Sequence, residues 1–227
     1  MGMHFKDIKY FEEMTDWLRY KKYIKDFNGL RLCELGDLWI RADLHEYTVH
    51  RVASQYFEAK GFEVAVIDIG VGADSVEKSE KRTKRSILRY DLAQPIVSEI
   101  GKFDVIVDFG TAEHIENQYE LHKNIHNLCK VGGIMIRSNP SDKYDGGHPS
   151  KHHGLFHYTP TFYMKLAKLC KYRIVDIREM AQKYWPSLIP RRKNFTYVTI
   201  LKTEDNTFPS LDNFNKIASE LGKYGER

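Results

Sequence analysis

Acidic side chains recur at the ends of apolar runs in this sequence. Glu34-Leu35-Gly36-Asp37 closes the first run, Asp68 the second and Asp91-Leu92 the third. The fourth leads through Phe109-Gly110-Thr111-Ala112 into Glu113-His114. A carboxylate can accept two hydroxyl hydrogen bonds at once, so an acid just past the second of such runs suits a ribose diol. An acid past the third can accept from an adenine amino group. Together these residues describe a nucleoside pocket. Neither G-x-G-x-x-G nor G-x-x-x-x-G-K-[ST] occurs, so the backbone cradle that a dinucleotide or triphosphate needs is missing.

The histidines form a second constellation. Ten are present, and four crowd one segment as His148, His152, His153 and His157, with Tyr158 directly after them. Three chemistries compete here: a general base for an acceptor hydroxyl, a divalent metal site with Asp142 and Asp145 nearby, and a polar loop packed on a ligand. His153 and His157 are the candidates for the base, with His114 as the alternative. No metal ligand is assigned, and a divalent ion is the less favoured reading.

These residues need elements to position them. Residues 31–35, 62–68, 86–90, 103–109 and 134–137 read as short buried strands, the fourth almost continuously apolar as in a sheet covered on both faces. Val49, Val52, Ala53, Tyr56 and Phe57 share one face of a helix that Gly61 closes. Leu121, Ile125, Leu128 and Cys129 mark another helix, after which Gly132-Gly133 turns the chain into the fifth strand. Thr159-Pro160 gives a helix start, with Thr as cap and Pro in the first turn. Two more strands are expected at residues 172–178 and 195–202. Strands alternating with helices predict an α/β fold: a Rossmann-like, doubly wound, mostly parallel seven-stranded sheet with helices on both faces. Residues 1–29 read as an N-terminal helical extension, 30–202 as the sheet domain and 203–227 as a C-terminal helical tail, its helix near 211–222.

The ordered series Leu32-Cys33-Glu34-Leu35-Gly36, Val66-Ile67-Asp68, Tyr90-Asp91-Leu92, Phe103-Asp104-Val105-Ile106-Val107, Glu113-His114-Ile115 and Gly132-Gly133-Ile134-Met135-Ile136 resembles the class I S-adenosylmethionine-dependent methyltransferases, in particular their small-molecule subgroup. The resemblance implies S-adenosylmethionine as cofactor, with S-adenosylhomocysteine as product. It implies that Glu34 and Gly36 lie beside the methionine part, Asp68 takes the ribose hydroxyls, and Asp91 with Leu92 faces adenine. Asp37, Phe109, Gly110 and Glu113 complete the cofactor set. His148, His152, Tyr158, Arg191 and Arg192 are assigned to the methyl acceptor, because relatives place an acceptor loop after the fifth strand. The first loop departs from the family pattern, with one glycine where three are usual. Leu38 and Trp39 either block the approach to the cofactor or belong to a loop that bends differently.

With 227 residues, 42% hydrophobic and 29% charged, the chain can bury a core, which excludes a mainly disordered protein. Its net charge of +4 is compatible with an anionic small-molecule substrate and falls short of a dedicated nucleic-acid binder. The basic cluster Lys78, Lys81, Arg82, Lys84 and Arg85 reads either as a solvated loop or as a clamp on a phosphorylated acceptor. Cys33, Cys129 and Cys170 lack C-x-x-C spacing, so buried thiols are expected rather than a disulfide framework. No signal segment or membrane span is apparent, making the cytoplasm the expected location. The expected activity is O-methylation of an anionic, sugar or nucleotide-linked metabolite, as in surface-glycan tailoring. The alternatives are a catalytically silent binding or scaffold protein and, behind it, an RNA methyltransferase. The aromatic N-terminal helix leaves a homodimer contact open beside core packing.

Overall fold

A computed structural model of the chain describes residues 2–40, 48, 50–69, 87–96, 98–141, 154–183 and 192–223. In chain order the elements are β1 (Gly2–Met3), α1 (Phe5–Tyr20), β2 (Arg31–Leu35), β3 (Trp39–Ile40), α2 (Ala53–Ala59), β4 (Glu63–Ile67), β5 (Ile87–Leu88) and β6 (Phe103–Phe109). There follow α3 (Gln118–Leu128), β7 (Cys129–Pro140), β8 (Phe156–Tyr158), α4 (Pro160–Cys170), β9 (Arg173–Lys183), β10 (Arg192–Leu201), α5 (Leu211–Ala218) and β11 (Leu221–Lys223).

Seven strands form one sheet in the order β5-β4-β2-β6-β7-β10-β9. β10 is antiparallel to both neighbours, because β9 and β10 are joined as a hairpin, and the remaining adjacent pairs are parallel. Successive side chains of a strand point to opposite faces, and both faces here are buried. Ile106 and Met135 point to the layer of α3, α4 and α5, where Leu121, Phe162 and Phe214 meet them. Val107 and Ile136 point to the layer of α1 and α2, where the rings of Phe11 and Phe57 meet at a tilt with 4.8 Å between centroids. The expected fold class is therefore the observed one.

The N-terminal segment is part of this second layer, with Ile8, Tyr10, Phe11, Met14 and Leu18 all buried in it. A polar seam fixes its angle to the sheet: the Asp7 carboxylate accepts from Ser138 Oγ at 2.8 Å and Tyr197 Oη at 2.9 Å.

Several boundaries differ from the sequence reading, each for a local reason. The fifth strand does not begin after Gly132-Gly133; β7 already starts at Cys129 and carries a bulge at that pair, where Gly132 takes φ 79° and the pairing passes from Phe103 with Cys129 to Val105 with Ile134. A Cβ on Gly133 would stand 2.9 Å from the Lys130 carbonyl oxygen and 3.1 Å from that of Asp104, so the glycine allows the close approach this bulge needs. α2 starts only at Ala53, whose N–H donates to Leu38 O, because Val52 is held in a bridge to Trp39. The C-terminal helix stops at Ala218, and residues 221–223 pair with β8 instead. At α4 the Thr159 hydroxyl accepts from Phe162 N at 3.0 Å, with Pro160 in the first turn. Among the described residues, no helix is long and apolar enough to cross a membrane.

Candidate functional site

The strand order reverses between β2 and β6, where the chain leaves the carboxyl ends of neighbouring parallel strands in opposite directions. Open α/β sheets bind ligands at such a point. A cavity of about 270 Å³ lies there. Gly36 and Thr111 line it from the ends of β2 and β6, and the Thr111 hydroxyl is anchored on Leu35 O at 2.6 Å. Asp68 and Ile69 enter from β4, and Tyr90, Asp91, Leu92 and Ala93 follow β5. His114, Ile115 and Glu116 complete the rim. Two acids from adjacent strand ends thus face a cleft with apolar walls, in which Ile69 is 53% exposed. A flat apolar ligand between Ile69, Leu92 and Ile115 would cover that surface, and carboxylates at its edge can accept hydrogen bonds.

The glycine-poor loop bends away from this cavity. Glu34 Oε1 accepts from Leu38 N at 2.8 Å, and Asp68 Oδ2 accepts from Asp37 N at 2.7 Å. These two carboxylates fold the loop back over the end of β2. Leu38 is turned wholly into the α1/α2 layer, and Trp39-Ile40 pairs with Gly2-Met3 as a two-stranded ladder. Of the two expectations for this loop, the different bend is the one observed. Gly36 takes the positive φ of 78° that the bend requires.

Of the residues assigned to the cofactor from sequence, Gly36, Asp68, Asp91 and Leu92 line the cavity. Glu34 and Asp37 belong to the loop that borders it. Phe109 does not reach it: as the last residue of β6 it points into the α1/α2 layer and is buried there. Gly110 makes the following turn at φ 89°. Glu113 is fully buried below the rim, where Asn139 Nδ2 donates to it at 3.1 Å. Burial and the nearby Asp108 carboxylate push its acid up to about 8.

Beneath the rim lies a charged network that the sequence reading missed. Asp108 and Arg137 face each other in the β6–β7 ladder, both buried, with Arg137 Nε donating to Asp108 Oδ2 at 2.9 Å. Asn139 donates to Asp108 and to Glu113 at 3.1 Å each, and accepts from the Tyr163 hydroxyl. The Asp108 Oδ1 atom also receives the backbone N–H groups of Thr111 and Ala112, which fixes the turn carrying Thr111 into the cavity. A signal for this pair existed: Val105-Ile106-Val107 and Ile134-Met135-Ile136 are each followed directly by one charge, of opposite sign.

Among the described histidines, His114 lines the cavity, and partial burial lowers its ring below the usual histidine range. It is neutral at pH 7 and able to take a proton. His157 sits in β8 away from the cavity lining, its Nδ1 3.1 Å from Ser141 O. Tyr158 cannot touch an acceptor in this arrangement. It is fully buried, stacks on Tyr163 at 5.6 Å and donates to Gln118 Oε1, because β8 points Phe156 and Tyr158 to the same core face. His148, His152, His153, Arg191 and the basic cluster at 78–85 lie outside the described residues. Arg192 opens β10 three positions before Phe195, which pairs with Pro140, so it stands beyond the carboxyl end of β7. Ser141, the last described residue before position 154, lies at this same end. Gly154 packs its backbone on the Glu113 side chain, and Leu155 N donates to Glu113 O. Among the described residues no three His, Cys, Asp or Glu side chains are grouped to hold a metal ion.

No family model and no curated protein sequence matches this chain. Solved structures do match in fold. A SAM-dependent methyltransferase from Methanosarcina mazei aligns with a TM-score of 0.56 at 11% identity, over 82% of this chain and 97% of that one. An S-adenosylmethionine-dependent methyltransferase from Listeria monocytogenes aligns with 0.54 at 17% identity, over 83% and 98%. TehB from Haemophilus influenzae gives 0.53 at 14%, this chain spanning 62% of its length. A 1,6-didemethyltoxoflavin-N1-methyltransferase from Burkholderia thailandensis, solved with 1,6-didemethyltoxoflavin and S-adenosylhomocysteine, gives 0.51 at 14%, over 83% and 76%. The chain has the fold of the S-adenosylmethionine-dependent methyltransferases.

Proposed function

We propose that this chain is an S-adenosylmethionine-dependent methyltransferase acting on a small molecule. The observation that carries the reading is the cavity at the reversal of strand order, with Asp68 and Asp91 at adjacent strand ends and apolar walls between them. In this reading Asp68 holds the ribose diol, Asp91 faces the adenine amino group, and Ile69, Leu92 and Ile115 enclose the base. Glu34 acts from beneath by fixing the Leu38 amide, and so sets the height of the Gly36 turn under the methionine part. The cofactor supplies a methyl group already activated on a sulfonium, so the protein's task is to align the acceptor with it and keep water out.

The acceptor is a hydroxyl of an anionic, sugar or nucleotide-linked metabolite, as in surface-glycan tailoring. Transfer forms the O–CH₃ bond, breaks the S–CH₃ bond and releases the hydroxyl proton. His114, neutral and on the rim, takes that proton. The anionic class is supported by the excess of basic residues and by the location of Arg192 beyond the carboxyl end of β7.

The test is calorimetric titration with S-adenosylhomocysteine. Wild type binds, and Asp68→Ala weakens binding at least tenfold, about 1.4 kcal/mol. A well-folded wild type that binds no S-adenosylhomocysteine overturns the reading.

A further inference from the structure

We propose that the outer edge of β9 is a self-pairing surface, through which two copies of this chain join their sheets about a two-fold axis centred on Ile177. β9 is eleven residues long and ends the seven-stranded sheet, and among the described residues no strand pairs with its outer side. Such an edge presents backbone donors and acceptors that favour a further strand.

The register follows from two hydrogen bonds. Asn194 O accepts from Ser141 N on the β7 side of β10. Its partner Ala181 is therefore in a pair that β9 and β10 do not hydrogen-bond, and Ala181 turns its own N–H and C=O outward. Lys6 from α1 takes that outward carbonyl, which closes this end of the edge. Below Ala181 the ladder runs without a shift as far as Asp176, so Ile177 also faces outward. An antiparallel copy centred on Ile177 lets the two Ile177 residues exchange both backbone hydrogen bonds.

The same centre places Asp176 of each copy opposite Arg178 of the other. These become the non-hydrogen-bonded pairs, in which side chains come closest, about 4.5 Å between Cα atoms. Both side chains are already oriented within the chain, Arg178 Nε donating to Asp176 Oδ2 at 2.8 Å and Arg178 Nη2 to Glu13 at 2.9 Å. A two-fold axis doubles each complementary contact. Exposed aromatic surface lies beside the edge: Arg173 Nη1 donates to the hydroxyl of Tyr23, which is 44% exposed, and Tyr20 nearby in the chain is 79% exposed.

The experiment is sedimentation velocity on the full chain at micromolar concentration, for wild type, Asp176→Arg, Arg178→Glu and an equimolar mixture of the two variants. The expected result is a dimeric wild type, two monomeric variants and a dimer restored on mixing, since each new charge then meets its opposite across the axis. Pairing within one chain cannot produce that rescue, nor can misfolded variants. Amide hydrogen exchange of wild type reads the same contact without substitution: the Ile177 amide is protected at high protein concentration and loses protection on dilution. A monomeric wild type, variants that dimerise as wild type does, a mixture that stays monomeric, or Ile177 protection independent of concentration overturns the proposal. None of these readouts involves the cofactor cavity, so the proposed methyl transfer stands or falls separately.

Discussion

Glu113 holds its proton at neutral pH, and the consequence for stability has a definite sign. Its acid lies at about 8 in the folded chain against an ordinary 4.5. Between those values the native state keeps a proton that the unfolded chain has released, so stability falls as pH rises through the window and levels off above it. Urea unfolding from about pH 5 to 8 should show a steeper loss for wild type than for Glu113→Gln, which mimics the protonated acid. Arg137 gives a second test. Arg137→Met strands the buried Asp108 charge, and unfolding free energy should drop by about 3–5 kcal/mol. Asp68 and Asp91 were legible as cavity residues because a charged residue that ends an apolar run has only a strand end to occupy. Tyr158 was misread because its place after a histidine-rich segment suggested an acceptor contact. The alternation with Phe156, two residues earlier, was the overlooked signal for burial.

At the level of elements, the first loop departs most from the family pattern. Leu38 replaces a glycine yet supports the core on the far side of the sheet from α3, while two carboxylates fix the backbone beside the cavity. Leu38→Ala should cost about 2–5 kcal/mol of stability, measured by urea unfolding. It should leave the affinity for S-adenosylhomocysteine within a few-fold of wild type, measured by calorimetry. A strong loss of affinity without loss of stability would place Leu38 against the ligand instead. The long strands and the helices α3 and α4 were readable from apolar runs, one-sided periodicity and the Thr159-Pro160 cap. The ladders β1–β3 and β8–β11 were not, since segments of two or three residues carry no period and their partners are remote in sequence. The Gly132-Gly133 pair was readable as an interruption, but not as a bulge inside a strand that had already begun, because that depends on the pairing with β6.

For the molecule as a whole, the cavity couples ligand to fold, because Asp68 and Thr111 both line it and both brace neighbouring strands. S-adenosylhomocysteine at 100 times its dissociation constant should add about 2.7 kcal/mol to unfolding, read as a raised thermal midpoint. Asp68→Ala should lose most of that increment. The two apolar layers and the doubly wound sheet were legible because the centre of β6, Val105-Ile106-Val107, is apolar without alternation, as a sheet covered on both faces allows. The seam between α1 and β10 was not, since nothing local marks Asp7 as the partner of Tyr197. That seam bears on how the chain is made. Asp7 waits for a hydroxyl 190 residues downstream, a gap of roughly 10–40 s at the ordinary pace of a ribosome. Phe57 and Phe62 can cover part of the stripe around Phe11 early, but the face of α1 that meets β10 stays open until that strand is made. The nascent chain is therefore a natural client for a chaperone that holds an amphipathic helix and lets it go late.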